Sequence, residues 1–367
     1  LDAHKPDLRE IKEAARTIDN GGLVVFPTET VYGIACRAAT EPLAKLTSLK
    51  DRAAEKHYTL HIGQKLDVAA YVPTISPVGR QLIKKGWPGP LTIVFELSDA
   101  ELAGQRSRLG EDICDIVYKD TAIGIRCPDN VIASLLLSHT KHPVVAPSAN
   151  LAGRPPATNG DTLSLAQLNG RVDMILDGGP CKYGLASTVV KINTSGIHLL
   201  RQGIYGQRDI EAMSAFEILF VCTGNTCRSP MAAGLCCNYL AQKLRCPIDQ
   251  LDTIGYKIRS AATMGMSGRP ASPEAIEVCR AKGVDIGEHR SSALSAAGIR
   301  QSDVIYVMCR QHRDSVLELC PEVGDKCFLL AANAEIPDPI GGSEKEYYYI
   351  AECIEQAIEK RLGEMTT

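Results

Sequence analysis

The sequence predicts an α/β protein of two domains, and three observations carry that prediction. The chain has 367 residues, the length of two ordinary domains. In its first half, helical stretches alternate with short apolar strands, several of which end in hydroxyl, amide or guanidinium groups. Past its middle, an apolar β-prone run from Phe216 to Val221 feeds a loop carrying a thiol, a glycine and a guanidinium, and a helix is expected over Met231 to Leu244.

Asp7 to Asn20 has helical periodicity and stops at Gly21-Gly22. Leu23 to Cys36 then reads as a buried strand running into a loop with Pro27, Thr28, Glu29 and Thr30. Hydroxyls directly after a buried strand are well set to bind a small polar ligand; an ordinary strand-end turn would look the same. A helix over about Glu41 to Lys50 delivers Lys50, Arg52 and Lys56, either as a solvated face or as a clamp for a polyanion. His61 follows on the short strand TLHI. Lys84 to Thr92 is a stiff turn into the strand Thr92 to Leu97, and residues 100 to 120 are expected to be a surface loop with one short helix. Later strands carry Arg126, then Ser148 with Asn150, then Ser187, then Arg201. Convergence of Lys50, Arg52, Arg126 and Arg201 would make a strong anion site. Neither a Walker loop nor a GxGxxG is present, so a nucleotide would need another cradle, and no His/Cys cluster has metal-site spacing.

The stretches GGLVVFPTETVYGIA, LKDRAAEKHYTLHI, WPGPLTIVF, GIRCPDN, VVAPSANLAGRPPAT, ASTVV and LLRQG resemble the YrdC/Sua5 family of threonylcarbamoyl-AMP synthases. The resemblance implies an open, twisted-sheet α/β domain over residues 1–206 with a large cavity. It implies that L-threonine, bicarbonate and ATP give threonylcarbamoyl-AMP and pyrophosphate, with Mg2+ accompanying ATP and a downstream tRNA-modification transferase receiving the product. Carried over position by position, it puts Thr28 and His61 near the threonine. Lys50 and Arg52 fall by the carboxylate and phosphates, and Arg126, Ser148, Asn150, Ser187 and Arg201 around the nucleotide. Such chemistry needs positioning and cations, not a protein nucleophile. The chain departs from the family pattern at Ala53, His57 and Gln202, where proline is usual, and at Ala186, where an acid is usual.

The second half turns on VCTGNTCRSP, Val221 to Pro230. The loop N–H groups and the helix N-terminus behind them favour an anion. They equally favour a thiolate, which makes Cys222 a candidate nucleophile. Arg228 can grip two phosphate oxygens in its planar fork. Ser229 can donate to the thiolate, and Pro230 suits the first helical position. Thr223, Gly224, Asn225, Thr226 and Cys227 complete the loop. Downstream, IPDPIGGS holds Asp338 between two prolines, a stiff setting that suits a general acid. A buried structural cysteine and a turn-forming aspartate would give the same pattern. Cys222 and Cys227 could form a reversible disulfide that shields the nucleophile; Cys227 as a small packing residue is the equal alternative.

Together with SAAT at Ser260, PASPEAI from Pro270, DIGEHRS from Asp285 and SDVIYVMCRQHRD from Ser302, this loop resembles the low-molecular-weight protein tyrosine phosphatases. The resemblance implies a three-layer α/β domain with a parallel sheet over residues 216–367. Cys222 would attack phosphorus, Arg228 would clamp the transition state, and Asp338 would act as acid and then base. Thr226 stands where tyrosine-directed members commonly carry a bulky aliphatic residue, and here the loop resembles the bacterial protein arginine phosphatases. Threonine is smaller and can hydrogen-bond, so it can admit an N–H-rich phosphoguanidinium. The expected substrate is a phosphorylated protein, phosphoarginine favoured over phosphotyrosine. Arsenate reduction shares this loop and would need resolving thiols, for which Cys309, Cys320 and Cys327 are candidates.

Residues 207–215 are expected to be a linker. The net charge of −3 gives no bulk basic character for nucleic acid, although an RNA-binding first half without synthase activity is a competing reading. No apolar run would span a bilayer and no signal peptide shows. Ten of the fourteen cysteines lie from Cys222 onward, without compact disulfide spacing. The expected setting is therefore a reducing cytoplasm, with no membrane partner.

Overall fold

The computed structural model describes residues 6–50, 58–151, 154–158, 167–193, 196–265, 267–332 and 334–365. The chain forms two compact units, Leu1–Ser214 and Ala215–Thr367.

In the first unit the helix Leu8–Asp19 starts at Asp7, whose side chain accepts from the Arg9 N–H at 2.8 Å. Such a cap stabilises a helix by about 1 kcal/mol. Ile11, Ala14, Ala15 and Ile18 form its buried stripe. Among the described residues the strands are β1 (Val24–Phe26), β2 (Gly33–Arg37), β3 (Leu60–His61), β4 (Leu91–Glu96), β5 (Tyr118–Lys119), β6 (Ala122–Arg126), β7 (Val144–Val145), β8 (Met174–Ile175), β9 (Thr188–Asn193) and β10 (Gly196–Arg201). They make one mixed sheet in the order β10-β9-β4-β6-β3-β7-β2-β1-β8, with β5 on β6. The register sets Thr92 beside Arg126 and Arg126 beside His61. Polar residues from three neighbouring strands thus meet at one level of the sheet.

Three sequence expectations are corrected in this unit. The strand after Leu23 enters the expected loop at Pro27, but the chain then returns as a second strand, so that the stretch is the antiparallel pair β1–β2. Thr28 interrupts it: its Oγ1 donates to the Val31 carbonyl at 2.6 Å and accepts from the Thr30 and Val31 N–H groups. Local side-chain bonds of this kind displace a strand ladder. Residues 99–117 are two helices, Asp99–Leu109 and Glu111–Val117, rather than a loop. Ser98 and Glu101 form a capping box at the start, and Gly110, at φ +89°, breaks the run. Finally, most of the expected linker is the helix Gln207–Ser214, which packs on the helix Pro77–Gly86 and buries Ile210 in the first unit's core.

The second unit has four strands, β11 (Phe216–Cys222), β12 (Tyr256–Ala262), β13 (Val304–Val307) and β14 (Cys327–Leu329), all parallel in the order β12-β11-β13-β14. β11 buries apolar residues on both faces. Ile218, Phe220 and Cys222 join one core with the helices Arg228–Leu244, Pro273–Ala281 and Glu344–Met365. Leu219 and Val221 join the other, with Ile299 and Val316 from helices on the opposite face. This is the expected three-layer arrangement. The helix after the loop begins at Arg228, so Pro230 is its third residue, not its first. That position tolerates proline equally, because the first four helical N–H groups lack intrahelical partners.

Candidate active sites

In the second unit the loop from Cys222 to Arg228 wraps one sulfur atom. Cys222 Sγ lies 3.2 Å from the Asn225 N–H and 2.9 Å from Ser229 Oγ. The wrap depends on Asn225, which holds φ +53°, a left-handed conformation unusual for a residue with a side chain. Its fully buried amide secures it. Nδ2 donates to Ser229 Oγ and Ser260 Oγ, both at 2.8 Å, and Oδ1 accepts from the Ser292 N–H at 2.8 Å. His289 Nε2 reaches the Asn225 carbonyl at 2.8 Å. The Arg228 guanidinium, also buried, donates to the Ile336 carbonyl at 3.0 Å and pairs with the Asp338 carboxylate, which is exposed. Its Nη2 also donates to Thr223 Oγ1 at 3.4 Å. A thiol, convergent N–H and hydroxyl groups, a guanidinium and a carboxylate therefore share one mouth.

In the first unit a cavity of ≈ 210 Å³ is lined by Thr28, His61, Arg126, Ser148, Ser187 and Arg201, among others. Arg126 Nη2 donates to Glu29 at 3.0 Å and to Thr30 Oγ1 at 2.6 Å, which fixes the guanidinium against the β1–β2 loop. Arg201 donates to the Ser187 carbonyl at 2.8 Å and to Ser187 Oγ at 3.1 Å. Ser187 Oγ in turn lies 3.0 Å from Thr92 Oγ1. The arrangement is a small chamber with two guanidiniums and a ring of hydroxyls.

The Sua5/YciO/YrdC family profile, described as telomere recombination, matches residues 16–203, and the low molecular weight phosphotyrosine protein phosphatase profile matches residues 217–366. The chain belongs to both families. Over 203 residues it is 32% identical to the threonylcarbamoyl-AMP synthase of Pyrococcus abyssi, covering 55% of this chain and 56% of that protein. The chain thus spans a little over half the length of the first synthases it matches. A protein-arginine-phosphatase of Geobacillus stearothermophilus is 33% identical over 157 residues, 41% of this chain and 97% of that one. A solved structure of Pyrococcus abyssi Sua5 aligns with a TM-score of 0.50 at 28% identity, covering 60% of this chain and 68% of that chain.

In the Sua5/YrdC unit the structure brings six of the sequence-chosen residues to the cavity and leaves two off its lining. Lys50, buried, donates to the carbonyls of Ser148 and Asn150 at 2.5 and 2.9 Å and to Asn150 Oδ1 at 3.0 Å. Lys50 and Asn150 thus hold the Ser148 loop. Arg52, and with it Ala53, Lys56 and His57, lies outside the described residues. Sequence reasoning gave no role to Glu29, the buried partner of Arg126, or to Thr92; the acid in PTET next to its threonines was the available signal. Burial first, and then the Arg126 charge, push Arg201 downward, so the two guanidiniums feel one another.

The same causes push His61 down to about 3, while its Nδ1 lies 3.1 Å from the Thr59 carbonyl. An unfolded histidine titrates near about 6.5. Between these values the unfolded chain carries a proton that the folded one lacks. Stability is therefore complete above the unfolded value and falls as pH drops through the window, by about 1.4 kcal/mol per unit. His61→Gln is expected to flatten that fall between pH of about 6.5 and 4. Urea unfolding read at Trp87, the only tryptophan and buried in this unit, checks it. An unchanged pH slope would refute it.

In the phosphatase unit all of the chosen residues gather at one place: Cys222 to Ser229, with Asp338 from the DPIGGS loop. The sequence reading did not single out the supports of Asn225, namely Ser260, His289 and Ser292. Two of these fall inside stretches that matched the family, but with no signal of contact. All fourteen cysteines are free. Cys227 Sγ lies 3.3 Å from Tyr347 Oη and 3.6 Å from Ser272 Oγ. Cys320 and Cys327 are buried in the core on the face opposite Cys222, which weighs against their serving it as resolving thiols. No helix among the described residues is long and apolar enough to cross a membrane.

Proposed function

We propose that the protein is a bifunctional enzyme, a threonylcarbamoyl-AMP synthase joined to a cysteine-dependent protein phosphatase that favours phosphoarginine. The observation that carries the second activity is the Asn225 N–H and the Ser229 hydroxyl on Cys222 Sγ, with Arg228 and Asp338 at the same mouth. Cys222 would attack phosphorus as a thiolate, forming an S–P bond while the P–N or P–O bond to the substrate breaks. Asp338 gives its proton to the leaving atom. Arg228 and the loop N–H groups take the charge that grows on the equatorial oxygens. Water then attacks the phosphocysteine with Asp338 as base, and the thiolate leaves, helped by Ser229.

The synthase reading is supported by the two-guanidinium chamber. The threonine amine would attack the bicarbonate carbon, with loss of water, and the resulting carbamate would attack the α-phosphorus of ATP, expelling pyrophosphate. Arg126 and Arg201 suit the charge that develops on phosphate oxygens, and the hydroxyls of Thr28, Ser148 and Ser187 suit the polar edges of both substrates. The donor set does not fit a resident Mg2+. Among the described residues no three His, Cys, Asp or Glu gather around one point, and the ions facing the cavity are cations. Magnesium would arrive on the triphosphate. The product would pass to a transferase that modifies tRNA.

Thr226 is the substrate test. It is half-buried at the mouth, with its Oγ1 3.7 Å from Cys227 Sγ. Thr226→Ile removes the hydroxyl and adds methyls. The variant is expected to lose about 10- to 100-fold in kcat/KM on a phosphoarginine peptide relative to a matched phosphotyrosine peptide, the scale of about 1–3 kcal/mol for one polar group left without its hydrogen bond. Wild-type preference for phosphotyrosine would overturn the phosphoarginine reading and leave the thiol mechanism standing. For the synthase, pyrophosphate release should require both threonine and bicarbonate. Release without either, or none with both, overturns that half.

A further inference from the structure

We infer that His312 is a positioning residue that orients the Arg228 guanidinium through Thr223, an inference that rests on the phosphatase reading above. His312 lies in the helix Arg310–Leu319, after β13, far in sequence from the loop, and is 2% exposed. Its Nε2 is 2.8 Å from Thr223 Oγ1, and its Nδ1 is 3.3 Å from Cys309 Sγ. Thr223 Oγ1 is also the acceptor for Arg228 Nη2 at 3.4 Å. Since Thr223 Oγ1 accepts a hydrogen bond from Arg228, its own O–H is free to donate to Nε2, and Nδ1–H then points at the sulfur. A buried imidazole without partners would be costly, and here both nitrogens are engaged.

The consequence appears during turnover. Arg228 Nη2 pairs with the Asp338 carboxylate. To protonate a leaving atom, Asp338 must carry a proton and turn to the substrate, so that the ion pair is released. Two anchors remain on the guanidinium: the Ile336 carbonyl on Nη1 and Thr223 Oγ1 on Nη2. The second is a rotatable hydroxyl, and His312 fixes its direction. The arrangement also requires a neutral imidazole, because an imidazolium would stand beside Arg228 as a like charge. Burial, and then the Arg228 charge, push His312 down to about 4.

The test uses the full chain and two readouts: hydrolysis of para-nitrophenyl phosphate, and tungstate affinity by calorimetry. Glutamine places an amide near the Nε2 position and can keep the bond to Thr223. Asparagine reaches only the Nδ1 side. His312→Ala and His312→Asn are expected to lower kcat/KM and tungstate affinity about tenfold, while His312→Gln stays within about threefold of wild type. Thr223→Val should cost about the same as His312→Ala, and the double variant no more than either, since both remove one link. A residue that merely filled space would not separate glutamine from asparagine in this way. Equal losses for the two amides, multiplying losses in the double variant, or wild-type values for His312→Ala would each overturn the inference. If wild type binds tungstate but does not hydrolyse the ester, the phosphatase reading fails, and the affinity series still decides the role of His312. If wild type does neither, both fall.

Discussion

Cys222→Ser is expected to abolish hydrolysis of phosphorylated peptides, lowering kcat by on the order of 10⁴- to 10⁶-fold, the range seen when a covalent nucleophile is removed. The Asn225 N–H and Ser229 Oγ are placed around the Cys222 sulfur, and a serine hydroxyl put there would need a general base to become a nucleophile. His312 is no substitute base, since its Nε2 is occupied by Thr223. The substitution is nearly isosteric in a buried setting, so tungstate should still bind and the unfolding of this unit should change little. Stopped assays on a phosphoarginine and a phosphotyrosine peptide give the measurement. Residual turnover within about 100-fold of wild type on either would mean that another group attacks phosphorus.

Arg126→Met should have the largest effect in the first unit. Arg126 and Glu29 form an ion pair with side-chain exposures of 7% and 1%. Removing one partner leaves an uncompensated buried charge, which costs about 3–5 kcal/mol. The pair itself is imperfectly satisfied. Glu29 Oε2 and Arg126 Nε have no hydrogen-bond partner among the described residues. The double variant Arg126→Met/Glu29→Gln should therefore recover most of the lost stability, because an apolar or neutral replacement of a whole buried pair is often neutral. It should not recover pyrophosphate release, since one of the two chamber cations is gone. Urea unfolding at Trp87 and a pyrophosphate assay on the same preparations separate the two effects. A single variant as stable as wild type would show that Glu29 does not need Arg126. A double variant that still makes pyrophosphate would remove Arg126 from the chemistry.

How far the sequence reached differs between the halves for a physical reason. The phosphatase loop was legible because its working groups are contiguous. A strand, eight residues and a helix start carry nearly all of the site, and backbone geometry brings them together whatever surrounds them. Only Asp338 comes from far away, and the prolines that stiffen its loop made it visible. The synthase chamber is assembled from strand ends distant in the chain. Each strand announced a polar terminus, but nothing local could say that Arg126 and Arg201 face one cavity while Lys50 turns to the carbonyls of Ser148 and Asn150. The boundary errors have local causes: a threonine that breaks Leu23 to Cys36 into a hairpin, and a capping box that turns an apparent loop into two helices.

By itself, then, the sequence determined two α/β units, their families, and a thiol and guanidinium on one loop with a proline-flanked carboxylate downstream. The tertiary structure decided which cations face the synthase cavity and which merely brace it. It also decided what holds Asn225 in its left-handed conformation, and that a histidine 89 residues downstream of Thr223 comes to rest on it. Those outcomes depend on how strands and helices pack across long separations. Burial and hydrogen-bond satisfaction select the partners there, and neither can be read from a local run of residues.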